Sequence, residues 1–270
     1  MKMKKLLIST AVALGVVVMG AANSIAFPTA TVNGITFPDG IVSGGNVLES
    51  SLLYETNITG TGQILQGVGK VTGIYDAISN ATWVDGNNGF SLFFVIDNYL
   101  STSVNAPTTS TAGNVSFSGG NVDFYTLAFG TQLLGGGQAA DIAQIRNGTL
   151  FLSEVGAVND SSGDTLLGTI PAGSTLSAFK GGSGTGFLDV TGGAAAYNFS
   201  THSFENAFDT ANNGFSDAIF TSSFNTGATT DFPIGGSSTL KTNAVPEPGS
   251  VALLGLGLLG LFAARRRKQG

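Results

Sequence analysis

Apolar and polar residues alternate along much of the middle of the chain. Leu48, Ser50, Leu52, Tyr54, Thr56 and Ile58 share one face of a period-two pattern; Glu49, Ser51, Glu55 and Asn57 share the other. That period predicts a half-buried β-strand with Glu55 turned to water. Phe90-Ser91-Leu92-Phe93-Phe94-Val95-Ile96 is almost continuously apolar, as expected of a strand buried on both faces. Alternation returns over 121–129, with Tyr125, Leu127 and Phe129 on one side. Asn147-Gly148 ahead of Thr149–Leu152, and Gly192-Gly193 between Phe187–Val190 and Ala195–Phe199, read as hairpin turns. Helical periodicity is weak. Its best instance is Ser203–Phe208, where Phe204 and Phe208 stand one turn apart.

Two short strings recur. Ser43–Val47 returns as Ser118–Val122, and Asn87–Ser91 returns as Asn212–Ser216. Their spacings share no period, so they read as repeated turn-then-strand chemistry and not as a solenoid. The pattern therefore predicts an all-β body, an antiparallel β-sandwich-like domain, over residues 27–244.

The two ends read differently. Residues 1–26 have the form of a secretory signal peptide: Lys2, Lys4 and Lys5, then an apolar helix from Leu6 to Met19, then small residues. Ser24 and Ala26 occupy the −3 and −1 positions, so cleavage is expected between Ala26 and Phe27. Residues 245–270 run Pro246-Glu247-Pro248, an apolar stretch Val251–Ala264, and Arg265-Arg266-Arg267-Lys268. Two prolines stop any preceding element and expose the peptide around Glu247. The apolar stretch would make a helix of roughly 21 Å, short of a bilayer core of about 30 Å. Snorkelling arginines lengthen it and keep this end cytoplasmic.

In these features, residues 246–268 resemble the PEP-CTERM sorting signal: Pro-Glu-Pro, a short hydrophobic transmembrane helix and an Arg-rich tail. The resemblance implies processing by exosortase, a membrane enzyme of Gram-negative bacteria, from a transient inner-membrane precursor. It implies delivery to the cell surface or extracellular matrix, in cells that make exopolysaccharide, biofilm or floc. The Gly-, Asn- and Phe-rich body is similar to flocculation-associated bearers of that signal. Many unrelated bodies carry such a tag, so it leaves the activity of residues 27–244 open.

Composition narrows that activity by exclusion. The chain has 270 residues, no Cys and one His, which removes disulfide scaffolds, Cys/His zinc sites and thiol nucleophiles. Charged residues are only 10%, while 42% are hydrophobic and 19 are Phe, too apolar for a disordered linker. Between Phe27 and Ala244, Lys70, Arg146, Lys180 and Lys241 face 16 carboxylates, a net charge of −12. Such a body repels phosphate backbones, so nucleic acid is not an expected partner.

Candidate chemistry is sparse. His202 has Ser200 and Ser203 nearby but no nucleophile-elbow pattern around any Ser. A glycosidase needs only two carboxylates at a set separation, which sequence cannot pair. One Trp, Trp83, is few for a glycan-binding platform and suits a position in the core or near its edge. Oxygen-rich turns at Asp85–Gly89, Asp160–Asp164 and Asp209–Gly214 make Asp85, Asp160, Asp164 and Asp209 candidate Ca²⁺ ligands, without the EF-hand spacing. The expectation is a non-enzymatic structural or adhesive protein that contacts extracellular polysaccharide or matrix components. The alternative is an exported polysaccharide-binding module or glycan-acting enzyme.

Overall fold

The computed structural model describes residues 29–38, 45–133 and 137–244. Both expected terminal helices, the signal peptide at 1–26 and the apolar stretch at 251–264, lie outside these residues. Among the described residues no helix is long and apolar enough to cross a membrane.

The chain begins with a hairpin, β1 (Thr29–Val32) and β2 (Ile35–Pro38), then continues through β3 (Asn46–Glu55), β4 (Ile64–Tyr75) and the short β5 (Ala81–Val84). Two long strands follow, β6 (Phe90–Asn105) and β7 (Gly113–Ala128), then helix α1 (Gln138–Arg146) and β8 (Thr149–Ala157). After β9 (Leu166–Ile170) and β10 (Gly182–Gly192) come α2 (Ala196–Phe199), β11 (Phe204–Glu205) and β12 (Phe215–Ser216). Strands β13 (Ala218–Thr226) and β14 (Ile234–Thr242) complete the body. A ten-stranded sheet runs β13-β14-β3-β4-β6-β7-β8-β10-β9, every pairing antiparallel, and its ends meet because β13 also pairs with β10. Strand β5 sits off this ring on β4. Strands β8 and β9 lie one after the other between β7 and β10, so they share one place in the wall. The wall is thus eight strands around. The expected all-β antiparallel body is present, and its two-sheet sandwich resolves into one sheet closed on itself as an up-and-down barrel. Closure gives each strand of the ring a partner on both sides, which removes the edges of an open sheet; β5 and the two small hairpins lie outside the ring.

The inside is apolar. Leu92, Phe94 and Ile96 of β6 face the barrel core, while Phe93 and Val95 face outward beneath Ile142 and Ile145 of α1 and Phe232. From Ser91 to Ile96 the run is therefore buried on both faces, as its composition requires, and only Phe90 at its start is exposed. One end of the barrel is capped. Phe37 of the first hairpin meets Phe199 of α2 at 4.8 Å and Phe151 of β8 at 6.2 Å between ring centroids. Trp83 of β5 is fully buried in this same core. The tight connections 56–63, 106–112, 171–181 and 227–233 gather at the opposite end.

Three local expectations change. Residues 203–208 form no helix; Phe204–Glu205 is strand β11, held against Phe215–Ser216 by backbone pairing. Ala196–Phe199 is the short helix α2, not a strand, because Gly193 at φ 98 turns the chain across the barrel end. Asn147-Gly148 terminates α1, whose last turn Asn147 caps through the Ala143 and Ile145 carbonyls. Helix α1 itself escapes periodicity, since its buried apolar residues are only Ile142 and Ile145.

Candidate binding site at the barrel mouth

The decisive local event is a bulge in β3. Pairing with β4 shifts register between Glu49 and Ser50 and again between Ser50 and Leu52, and β14 shifts opposite it at Gly236/Ser238. The Ser50 hydroxyl steadies the break by accepting from the Leu52 N–H (3.3 Å) and donating to the Leu52 carbonyl (2.7 Å). An inserted residue inverts the facing of everything beyond it. Leu53 and Glu55 consequently point inward, and Leu52 and Tyr54, expected inside, are only half-buried. Glu55 is thereby carried from the predicted wet face into the barrel.

There it lines a cavity at the uncapped end. The cavity measures about 60 Å³ and is open to solvent. Ile58, Leu65, Phe117, Leu166, Phe220 and Ile234 supply apolar wall, and Thr56, Asn57 and Ser222 add polar atoms. Phe179 and Phe224 stand at the rim as an edge-to-face pair, 5.8 Å between centroids at 78°. Thr226 pins Phe179 there: its N–H and hydroxyl both donate to the Phe179 carbonyl, and its hydroxyl oxygen accepts from the Phe179 N–H. Burial pushes the Glu55 carboxyl up to about 7, since desolvation disfavours the charged form.

Deeper in the barrel lies a second acid. Glu154 of β8 is opposite Val122 and Val190, fully buried, with neither carboxylate oxygen hydrogen-bonded. Burial first, then the negative fields of Asp217, Asp189 and Asp123, hold its carboxyl well above the usual range. Tyr99 feels both acids. Burial, then Glu154, then Glu55 raise its hydroxyl above the ordinary value. Its ring covers Gly120, where an added Cβ would come within 2.2 Å of it. A glycosidase pair must flank an accessible bond, whereas Glu154 is fully buried.

A separate acidic knot sits on the outer wall, where β11 and β12 fold over β10. Asp217 accepts from the backbone N–H groups of Val190 (2.9 Å), Thr201 (2.6 Å) and His202 (2.6 Å). Asn212 donates to both Asp189 (2.8 Å) and Asp209 (3.1 Å). Burial, then the charge of Asp209, raise the Asp189 carboxyl to about 6. A proton or a cation would relieve that crowding. Asp209 is the predicted ligand here, and its neighbours Asp189 and Asp217 are visible only in three dimensions. The other candidates are dispersed. Asp85 pairs with Lys70 at 2.6 Å. Asp160 accepts from the N–H groups of Ser162 and Asp164, and Asp164 accepts from the Thr102 hydroxyl at 2.7 Å. Among the described residues, no group of three or more His, Asp or Glu side chains is placed to hold a metal ion. His202 has Nε2 at 3.0 Å from Asn212 Oδ1 and Nδ1 at 3.6 Å from Asp217. The Ser203 hydroxyl is taken up by Thr201 and Asn243.

The predicted cleavage pair Ala26 and Phe27, and the sorting residues Pro246, Glu247, Pro248, Arg265, Arg266 and Arg267, lie outside the described residues. Strand β14 nevertheless shows where the tail departs. Thr242 pairs with Asn46 and Ala218 at the starts of β3 and β13, the capped end, and Ala244 is buried just beyond it. The mouth opens at the opposite pole. No curated protein and no solved structure matches this chain. Residues 244–268, however, match the PEP-CTERM protein-sorting motif, and the chain thus carries the signal of an exosortase-targeted surface protein, exported through a transient membrane-anchored stage in Gram-negative bacteria.

Proposed function

We propose that the mature protein is a non-enzymatic structural or adhesive component of the cell surface or extracellular matrix, linked to exopolysaccharide, biofilm or floc formation. The observation that carries this reading is the sorting motif at residues 244–268, attached to a body that is a closed barrel with its reactive-looking acids buried. Ala244, the last described residue before the Pro-Glu-Pro, lies at the capped pole, opposite the mouth. Polar side chains such as Thr221, Ser223, Ser237 and Thr239 decorate the outer wall of β13 and β14, a surface suited to hydrated glycan.

A deletion strain tests the proposal. Loss of the gene product should weaken biofilm or floc cohesion and remove the protein from the matrix fraction. Unchanged cohesion, with the protein absent from the wild-type matrix, would sink it. Incubating exported protein with the strain's own exopolysaccharide separates the enzymatic alternative, because shortened chains would replace this reading with that one.

A further inference from the structure

We infer that the barrel mouth binds a slim apolar chain ending in a protonated amine, with Glu55 as the group that holds the ammonium. This goes beyond the surface role proposed above and does not depend on it. The cavity sets the shape. An eight-stranded barrel has an interior wide enough for side chains or one small ligand, and here glycine takes the place of larger side chains at the inward position Gly168. The cavity of about 60 Å³ is well below the roughly 150 Å³ that admits benzene. It opens to solvent, so an extended chain can place part of its length inside and the rest in the mouth, which a compact ring cannot do.

Charge sets the head group. Glu55 is the titratable residue among those lining the cavity, and burial alone accounts for its raised carboxyl; among the described residues no cation forms an ion pair with it. Lys70 pairs with Asp85 and Arg146 with Asp97, and Lys180, next to the rim residue Phe179, is exposed and outside the cavity lining. Strand β4 presents Gly67 to Glu55 and β14 presents Ile234. From β6 the titratable neighbour is Tyr99, which stays neutral at ordinary pH because its hydroxyl is raised, and behind it stands Glu154. An anionic ligand would add repulsion, and a neutral alcohol would give the carboxylate a hydrogen bond but leave its charge uncompensated. An ammonium gives the hydrogen bond and also cancels the charge, an attraction that is stronger in a low-dielectric site than in water.

The test is calorimetric titration of the exported protein with n-hexylammonium, n-hexanol and hexanoate at pH 8 and pH 5.5. At pH 8 the ammonium should bind about tenfold more tightly than the alcohol, because it adds charge neutralisation to the hydrogen bond, with hexanoate weakest. At pH 5.5, where Glu55 is protonated, that preference should narrow towards parity. Glu55→Gln should abolish the preference yet keep alcohol binding, which also shows that the variant folds. Gly168→Val should remove binding of all three, since a Cβ at Gly168 meets its nearest neighbour at an ordinary 3.6 Å and fills the space without forcing the wall. Equal affinity for ammonium and alcohol at pH 8, tightest binding of hexanoate, no binding of any probe, or a preference surviving Glu55→Gln would each overturn the inference.

Discussion

At the scale of single residues, the buried acids set how stability responds to pH. Glu55 rises from its ordinary 4.5 to about 7 on folding, so the native state holds that proton more tightly than the unfolded chain. Stability from this group is complete below about pH 4.5 and is lost as pH climbs through 7, a change on the order of 3 kcal/mol. Asp189, raised to about 6, acts in the same direction. Asp76 and Asp97 act oppositely. Burial would raise both, but hydrogen bonds outweigh it: Asn80 and Ile78 hold Asp76 down, and Gln66, Arg146 and Asn98 hold Asp97 down. Their contribution disappears as pH falls below the carboxylate range. Maximal stability is therefore expected under mildly acidic conditions. In thermal melts the protein should lose midpoint between pH 5 and pH 8, and Glu55→Gln should flatten that loss and melt higher at pH 8. An unaltered pH profile in the variant would show that Glu55 is not the cause.

Single glycines follow the same logic of space. At Gly120 the backbone lies at φ 91 and a Cβ would fall 2.2 Å from the Tyr99 ring, whereas Gly168 has open contacts. Gly120→Ala should cost about 3 kcal/mol from combined strain and overpacking. Gly168→Ala should cost less than 1, a contrast that urea unfolding of the two variants reads directly.

At the scale of elements, the Asp217 carboxylate is the main backbone fastening of the excursion from α2 through β12, beside the Asn212–Asp189 and Asn243–Ser203 hydrogen bonds. Asp217 accepts three backbone N–H groups, from Val190, Thr201 and His202. Asp217→Ala leaves those donors without their acceptor, a loss of about 2–4 kcal/mol. Amide exchange at Thr201 and His202 should accelerate by orders of magnitude while exchange in β6 and β7 follows only the change in global stability. If exchange rises equally everywhere, the excursion unfolds with the barrel and Asp217 is no separate fastening. Helix α1 is held by a comparable chain: Gln138 donates to Gln66, and Gln66 and Arg146 both donate to Asp97. Its nine residues are too few to form a stable helix alone; packing on Phe93 and Val95 supplies what propensity does not.

At the scale of the whole molecule, the barrel separates two functions. Its capped pole receives the first hairpin and releases the tail that bears the sorting motif, while the cavity opens at the other pole. Folding and sorting should therefore be separable. Glu247→Ala in the producing strain should leave a folded body in the inner-membrane fraction with an uncut C-terminus. Fractionation and mass spectrometry check this; normal release of the variant would remove Glu247 from the sorting step.

Much of this was legible in one dimension. The continuous apolar run at 90–96 and the alternation at 121–129 announce strands, the first buried on both faces and the second because side-chain facing has a period of two. The repeated Asn-Asn-Gly-Phe-Ser string folds the same way twice, with Asn88 and Asn213 near φ 57 and each Gly after it left-handed, because turn geometry is set locally. The sorting motif is likewise read as a linear signal. Barrel closure was not legible, since the pairing of β14 with β3 joins the two ends of the body, Thr242 against Asn46 and Ile234 against Glu55, and no local period encodes it. Nor was the site. The strand pattern placed Glu55 in water, and only the bulge at Ser50–Leu52, fixed by register against β4 and β14 together, turned it inward. Asp189 met Asp209, and Tyr99 came to lie in the fields of both glutamates, for the same reason. Facing along a strand is a local property, but the register that decides which face is the inside belongs to the closed sheet.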